Sequence, residues 1–411
     1  MRQVARHLVV ACVFLVNLAC AAHKDASWPQ FHGPNRGNIS TEKDLLKTWP
    51  RNGPPLVWTT SGIGHGFSSV AIANNRIYTA GNVGELTAVS ALNLDGKTLW
   101  QVNNGKAWTG AHPGSRGTPT IDGDRLYHQN PHGNIICLDA RTGDILWQCN
   151  IIEKFNSKVP RWALSESLLV DGDRLFSCPG GPQTCMVALN KTDGSIIWQA
   201  ASTREWAGYA SPTLFEYKGL LIIITLTSKS FIGVNADTGE LLWRIKHETP
   251  YDENTMKPIF HNGEVFVSTV VTGSVKWELK VKNDTVSLRK KWHTQQLDNH
   301  HGGVILVNKT LYGSSTYFNK NSLVCLDWKT GRVNYMDTCT KVSLTYADGL
   351  LYALSIDGVM GLIQPTPTGH KQVSYFKLPK GGKGKSWAHP VVCGGRLYIR
   401  HGEFLYAYGL K

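Results

Sequence analysis

The sequence predicts an all-β chain, an eight-bladed β-propeller of four-stranded antiparallel blades. Three observations predict it: a hairpin phrase ending in Trp that recurs through the chain, a second hairpin phrase in each unit, and a count of eight return strands. The first phrase is clearest at residues 138–147. Ile136 and Leu138 alternate with polar neighbours as in a half-buried strand, Thr142-Gly143 supplies a turn, and Ile145-Leu146-Trp147 begins the return. Versions of it stand at 94–100, 190–198, 235–243 and 327–335. The Trp separations are 147−100 = 47, 198−147 = 51 and 243−198 = 45, a period that belongs to propellers and related arrays.

The second phrase is an apolar strand, an Asn- or Gly-rich turn, and a strand ending in Tyr or Phe. It appears at 68–78, 118–127, 167–176 and 260–266, and again at 304–312, 344–352 and 391–398. Asp-Gly and Asn-Gly between apolar runs are strong hairpin signals. Two hairpins per unit give four antiparallel strands, a propeller blade. Trp58, Trp100, Trp147, Trp198, Trp243, Trp292, Tyr335 and Phe376 mark eight return strands. The last unit, 387–408, has three strands before the chain ends, and Leu56-Val57-Trp58 has no earlier strands of its own. The ring is therefore expected to close with the N-terminal strand near Trp58 on the last blade, which removes an open edge.

In chain order, residues 1–21 read as a signal peptide. Arg2 and Arg6 precede an apolar run from 8 to 18, too short to span a bilayer, and Ala19-Cys20-Ala21 fits a cleavage site. Cys20 leaves a rival open: lipidation at that residue. Residues 22–55 read as an ordered N-terminal arm lying on the body, with a short helix expected over 41–49, and residues 56–411 as the propeller. After cleavage seven cysteines remain: Cys137, Cys149, Cys178, Cys185, Cys325, Cys339 and Cys393. Export permits disulfides, and the pairs 178/185, 137/149 and 325/339 each flank a turn. The alternative is that they are small buried hydrophobes.

The net charge of +13 falls to 13 − 2 = +11 without Arg2 and Arg6. An exported basic chain suits an acidic envelope partner or surface and does not suit nucleic acid. No Ser-His-Asp order, P-loop or paired-carboxylate motif is present, so no catalytic residue is assigned. His300-His301 offers imidazoles, but neighbours on a strand face opposite ways, so no metal is assigned.

These phrases resemble the PQQ-like β-propeller repeats, whose members include quinoprotein dehydrogenases and BamB-like outer-membrane assembly lipoproteins. Ala-x-Thr-Gly-x-x-x-Trp, at 140–147 and 236–243, is that family's docking motif. The opening 28–34, Trp-Pro-Gln-Phe-His-Gly-Pro, resembles the start of exported BamB-like propellers of planctomycete-type bacteria. The resemblance covers about residues 27–411. It implies that Trp58, Trp100, Trp147, Trp198, Trp243 and Trp292 pack between blades. A quinoprotein of the larger dehydrogenase type has an adjacent Cys-Cys pair and a calcium held by Glu, Asn and Asp. This chain has no Cys-Cys, and its nearest calcium set is Glu166, Asp298 and Asn299.

Aligning the units on the Tyr or Phe of the second phrase brings Phe67, Arg116, Ser165, His301, Lys341 and Trp387 to one phase, with Tyr209 equivalent and Glu166, His300 and His389 adjacent. Strands at one phase enter one end of a propeller's channel. Arg116, Glu166, Tyr209, His300, His301, Trp387 and His389 are thus the expected ligand site at the axial mouth. The reading is a monomeric binding or scaffolding protein of the cell envelope. Its partner would be an envelope protein or a small polar or anionic ligand, with membrane contact only through a lipid on Cys20. No cofactor is favoured. The alternative is a PQQ- and calcium-dependent oxidoreductase of an alcohol or sugar.

Overall fold

A computed structural model describes residues 26–282, 285–366 and 368–411. The segment 1–21 read as a signal peptide, with Cys20, lies outside them. Eight antiparallel four-stranded sheets follow one another along the chain. Blade one is Ala71–Ala73, Arg76–Val83, Leu86–Asn93 and Thr98–Lys106. Blade two ends with Ile145–Asn150, blade three with Ile196–Gln199, and blade four with Leu241–Lys246. Blades five, six and seven end with Thr285–Thr294, Val333–Thr338 and Gly369–Lys377. In blade eight, Val391–Cys393, Arg396–His401 and Phe404–Gly409 take their fourth strand from Leu56–Thr60, antiparallel on Phe404–Gly409, so the ring closes as expected. The inner hairpins turn where the sequence places Asn and Gly. Asn74 and Asn75 both have positive φ, +53° and +56°, as a two-residue type I′ turn requires.

Every outer strand carries a β-bulge at the same place. Leu99, Leu146, Ile197, Leu242, Lys291, Asn334, Val373 and Val57 are each the extra residue. A bulge re-aims the next side chain, and in six blades that side chain is the signature Trp. Trp100, Trp147, Trp198 and Trp292 donate Nε1–H to the carbonyls of Ala140, Lys191, Ala236 and Trp328 in the following blade, and Trp58 of blade eight to Leu94 of blade one, at 2.8–3.3 Å. The ring lies on the turn glycine there. A Cβ on Gly143 would fall 2.8 Å from Trp100, which is why the phrase needs Gly.

Trp243 departs from this pattern. It is buried, but its Nε1 has no acceptor. The third strand of blade five, Gly273–Lys282, is ten residues against six in blade two.

In the seventh blade the marker Phe376 does lie in the return strand, Gly369–Lys377, but not at the position of the signature Trp. The residue after its bulge is Ser374, not Phe376. The arm supplies the missing ring: Trp49 donates its backbone N–H to Ser374 Oγ at 2.8 Å and sits 5.7 Å from Tyr352 and 5.6 Å from Phe376. That is the spacing at which Trp100, Trp147 and Trp198 face Tyr78, Tyr127 and Phe176, 5.8–6.2 Å.

The arm does more than lie on the body; it loops through the central channel. Trp28 bridges Ile72 of blade one, and Pro29 O accepts from Ile121 N of blade two. The chain turns at Gly33 and returns, Asn38 O accepting from Tyr346 N, and Ile39–Ser40 adds a short parallel strand to Val342–Ala347 of blade seven. Arg36, buried within the loop, donates to the carbonyls of Ser167 and Leu168 in blade three, both at 3.0 Å. The helix expected over 41–49 does not form. Leu45 N bonds Asp348 and Leu46 N bonds Leu410 O, so those donors are spent on blades seven and eight.

All seven described cysteines are unpaired, which selects the second of the two readings left open by the sequence. The strand register sets Trp147, not Cys149, opposite Cys137, and Tyr335, not Cys339, opposite Cys325. Cys178 and Cys185 pack as apolar side chains in one buried cluster.

Candidate functional site

The site is built where the chain enters each innermost strand. These entries are locked blade to blade by hydroxyls. Ser69 N donates to Thr118 Oγ1, Thr118 N to Ser167 Oγ, and Ser167 N to Ser211 Oγ, at 2.9–3.0 Å. Ser69 Oγ donates to His389 O at 2.7 Å. Two residues before each belt position stands the ring residue. Phe67, Arg116, Ser165, Tyr209, His301, Lys341 and Trp387 all line one cavity of about 420 Å³ at this end of the channel. Thr255, the same phase in blade five (266 − 11), lines it too; the alignment had skipped that unit.

Of the seven expected site residues, six line the cavity: Arg116, Tyr209, His300, His301, Trp387 and His389. Glu166 does not. Its side chain instead accepts from Ser177 Oγ at 2.9 Å and Cys178 N at 3.0 Å. Burial pushes its carboxyl up to about 7. Sequence reasoning missed Phe31, the arm residue that floors the cavity, and the inter-blade loop residues His112, Trp162, Glu253 and Lys385. No repeat phase marks them, and only the aromatic-rich opening phrase hinted at the first.

Trp387 is the centre of the cavity wall. Phe67, His301 and His112 pack around it with centroids at 4.9, 4.8 and 4.7 Å, and its indole Nε1, buried, has no acceptor. Tyr209 is fixed by Trp162 N donating to its hydroxyl at 3.3 Å. His300 Nε2 lies 3.4 Å from Glu253, and its Nδ1 3.2 Å from His301 Nδ1. Burial is the main force on both imidazoles, with Lys341 adding. It takes His300 down to about 4 and holds His301 well below the ordinary imidazole value, so both are neutral at pH 7. His389 reaches His301 O at 3.0 Å with Nε2 and His32 Nε2 at 3.1 Å with Nδ1, tying the arm's tip to the wall. Arg116 is partly committed: its guanidinium clasps the carbonyls of Gly114, His112 and Ala111 at 2.8–3.3 Å. Burial lowers it to about 10, so it stays charged, with two N–H groups left for a ligand. Arg116, Lys341 and Lys385 face a single lining carboxylate, Glu253.

A calcium ion takes six to eight oxygens, several of them carboxylate. The set expected from sequence does not converge. Glu166 is turned away, and the buried Asp298 carboxylate accepts from Thr316 N and Tyr317 N, both at 2.8 Å, and from Ser315 Oγ. Asn299 Nδ2 donates to Ser314 O at 3.0 Å and its buried Oδ1 has no partner, but it stands in blade six with Asp298, whereas Glu166 is bonded within blade three. These residues do not fit the calcium of a quinoprotein. Among the described residues no group of three or more His, Cys, Asp or Glu is placed to hold a metal.

A family model described as outer membrane protein assembly factor BamB matches residues 87–335. The chain belongs to this family of PQQ-like repeats. Among relatives, BamB of Escherichia coli is 30% identical over 127 residues, 28% of this chain and 32% of that protein. Quinoprotein ethanol dehydrogenase of Pseudomonas aeruginosa is 28% identical over 163 residues, 37% of this chain and 24% of that protein. The chain thus spans a quarter to a third of these relatives' length. The crystal structure of BamB from Moraxella catarrhalis superposes with a TM-score of 0.64 at 15% identity, covering 87% of this chain and 100% of that one, a likeness of fold. The docking tryptophans and the closure at Trp58 are the family's architecture in this chain. BamB-type and quinoprotein members resemble it alike.

Proposed function

We propose that the protein is a binding or scaffolding propeller of the cell envelope, exported by its N-terminal segment, with the axial cavity as its ligand site. The observation that carries this reading is the cavity's chemistry. A flat indole face at Trp387 with an unpaired N–H stands among Arg116, Lys341 and Lys385, opposed by one carboxylate. Such a wall suits a flat or sugar-like ligand bearing anionic or carbonyl oxygens, or a partner's side chain of that chemistry. The assembly role named for BamB supports a protein partner. The names of the quinoprotein relatives support the second reading, an oxidoreductase; the scattered Glu166, Asp298 and Asn299 speak against its calcium-dependent form.

The test is purification from the native envelope with mass analysis of what is retained, repeated with Trp387→Ala. The variant is expected to lose the retained molecule while its urea midpoint stays near wild type. If PQQ with calcium raises the melting temperature and supports alcohol- or sugar-dependent dye reduction, the binding reading is replaced by the enzymatic one. If Trp387→Ala unfolds the chain, the ring is structural capping and not a site.

A further inference from the structure

Below the arm's tip the channel opens a second time. This lower cavity, about 190 Å³, lies between the arm and the inner strands of blades four to six. The internal repeat explains its position. At the belt position, two residues after the ring residue, blades one to four carry Ser69, Thr118, Ser167 and Ser211. Blade five carries Lys257 there and blade six Gly303, and both line the lower cavity. The hydroxyl belt is broken where the space begins.

Lys257 Nζ donates to Thr213 Oγ1 at 3.1 Å and Pro258 O at 3.3 Å. From the arm comes Arg36, 4% exposed. Its two terminal nitrogens serve Gln30 Oε1, Ser167 O and Leu168 O, and its buried Nε–H has no acceptor. His32 and His261 are the other titratable groups of the lining, which contains no carboxylate. Among the described residues, neither Arg36 nor Lys257 has an ion-pair partner within 4 Å. Glu166, the one carboxylate whose field reaches Arg36, is turned to Ser177 and Cys178. A buried guanidinium beside a half-buried ammonium, with no counter-ion, is costly in a medium of low polarity. Burial, with Arg36 adding, accordingly brings Lys257 down to about 7.

We propose that the lower cavity is a binding site for a small inorganic oxyanion, phosphate or sulfate, held between Lys257 and Arg36. The ion supplies the missing negative charge and the acceptor for Arg36 Nε, and in doing so pins the arm to blade five. The cavity holds several times a water's volume of about 30 Å³, room for one such ion.

The probes are phosphate and sulfate against chloride at equal ionic strength, read by calorimetric titration and thermal melts. Wild type is expected to bind phosphate or sulfate and to melt higher with them than with chloride. Lys257→Met is expected to bind at least about tenfold more weakly, a change of about 1.4 kcal/mol. Crystals soaked in selenate should show anomalous scattering between Lys257 Nζ and Arg36 Nε. Equal melting in chloride, unchanged affinity in Lys257→Met, or selenium elsewhere would each overturn the site. Should Lys257→Met not fold, Lys257→Arg and the selenate position decide.

Discussion

The bulge-and-tryptophan joint between blades three and four makes a quantitative prediction. Trp198, 8% exposed, lies 5.8 Å from Phe176, donates to Ala236 O at 3.0 Å, and covers Gly239, whose φ is +79°. Removing a buried Trp side chain costs about 3–5 kcal/mol, of which the indole hydrogen bond is about 1 kcal/mol. A methyl on Gly239 meets two penalties. The left-handed backbone costs about 1–2 kcal/mol. A Cβ 2.8 Å from the Trp198 ring adds about 1–3 kcal/mol of overpacking. The double variant separates them. With Ala at 198 the overlap is gone, so Gly239→Ala should then cost only the backbone part. Gly172, φ +54° with nothing within 4 Å of its Cβ position, is the control for that part, at about 1–2 kcal/mol. The assay is urea unfolding followed by near-ultraviolet circular dichroism, for the two singles, the double and Gly172→Ala. The reasoning fails if the Trp198 and Gly239 effects add within about 0.5 kcal/mol, as independent sites do, or if Gly239→Ala costs no more than Gly172→Ala.

Trp49→Ala should destabilise by about 3 kcal/mol or more, like a blade's own Trp, although the residue belongs to the arm; a loss below about 1 kcal/mol in the same urea assay would mean the arm does not complete blade seven. Stability should also fall in mild acid. Burial holds His128 near 3 and His247 and His389 near 4, so each favours folding above its ordinary value of 6.5 and withdraws that contribution as the pH drops towards 4. Glu166, raised to about 7, works the other way: its contribution is full below 4.5 and is lost as the pH rises to 7, so Glu166→Gln should steepen the rise in stability between pH 4.5 and 7 and leave the slope above 7 unchanged. Melting temperatures from pH 4 to 9 check both, and an acid limb unchanged by His128→Gln would refute the first.

How much of this was legible in the sequence follows from which features repeat. Blade number, strand count and closure are written in local phrases that recur, so period and turn chemistry suffice. The cavity's ring residues were legible for the same reason: Arg116, His301 and Trp387 share a phase, and a shared phase in a propeller is a shared depth. Glu166 shows the limit of that argument. Phase gives depth along the channel and not direction: Glu166 is bonded to Ser177, while His300, equally one residue off the ring, lines the cavity. The cysteine pairs failed because flanking the same turn does not make two residues cross-strand partners: the register sets Trp147 opposite Cys137 and Tyr335 opposite Cys325, with Cys149 opposite Ile135. Trp49 was not legible as a docking ring because its partners, Tyr352 and Phe376, are three hundred positions away and no local pattern joins them.

The arm is where the non-repeating part of the sequence does its work, and the reason is geometric. Eight blades surround a wider channel than fewer would, and the side chains of the inner strands do not fill it. The loop from Trp28 to Ser40 fills it with backbone, and its polar groups are met by blades on several sides: Ile121 N on Pro29 O, Ser167 O and Leu168 O on Arg36, Leu344 O on Asn38. A plug made this way divides the channel instead of sealing it. Phe31 faces the aromatic cavity, while His32 and Arg36 face the cationic one, and His32 is bonded to His389 between them. Occupation of either cavity therefore acts on the same short stretch of chain. A ligand that orders Phe31 from above and an anion that neutralises Arg36 from below both favour the seated arm, so each should strengthen binding of the other by the same factor, as linkage requires.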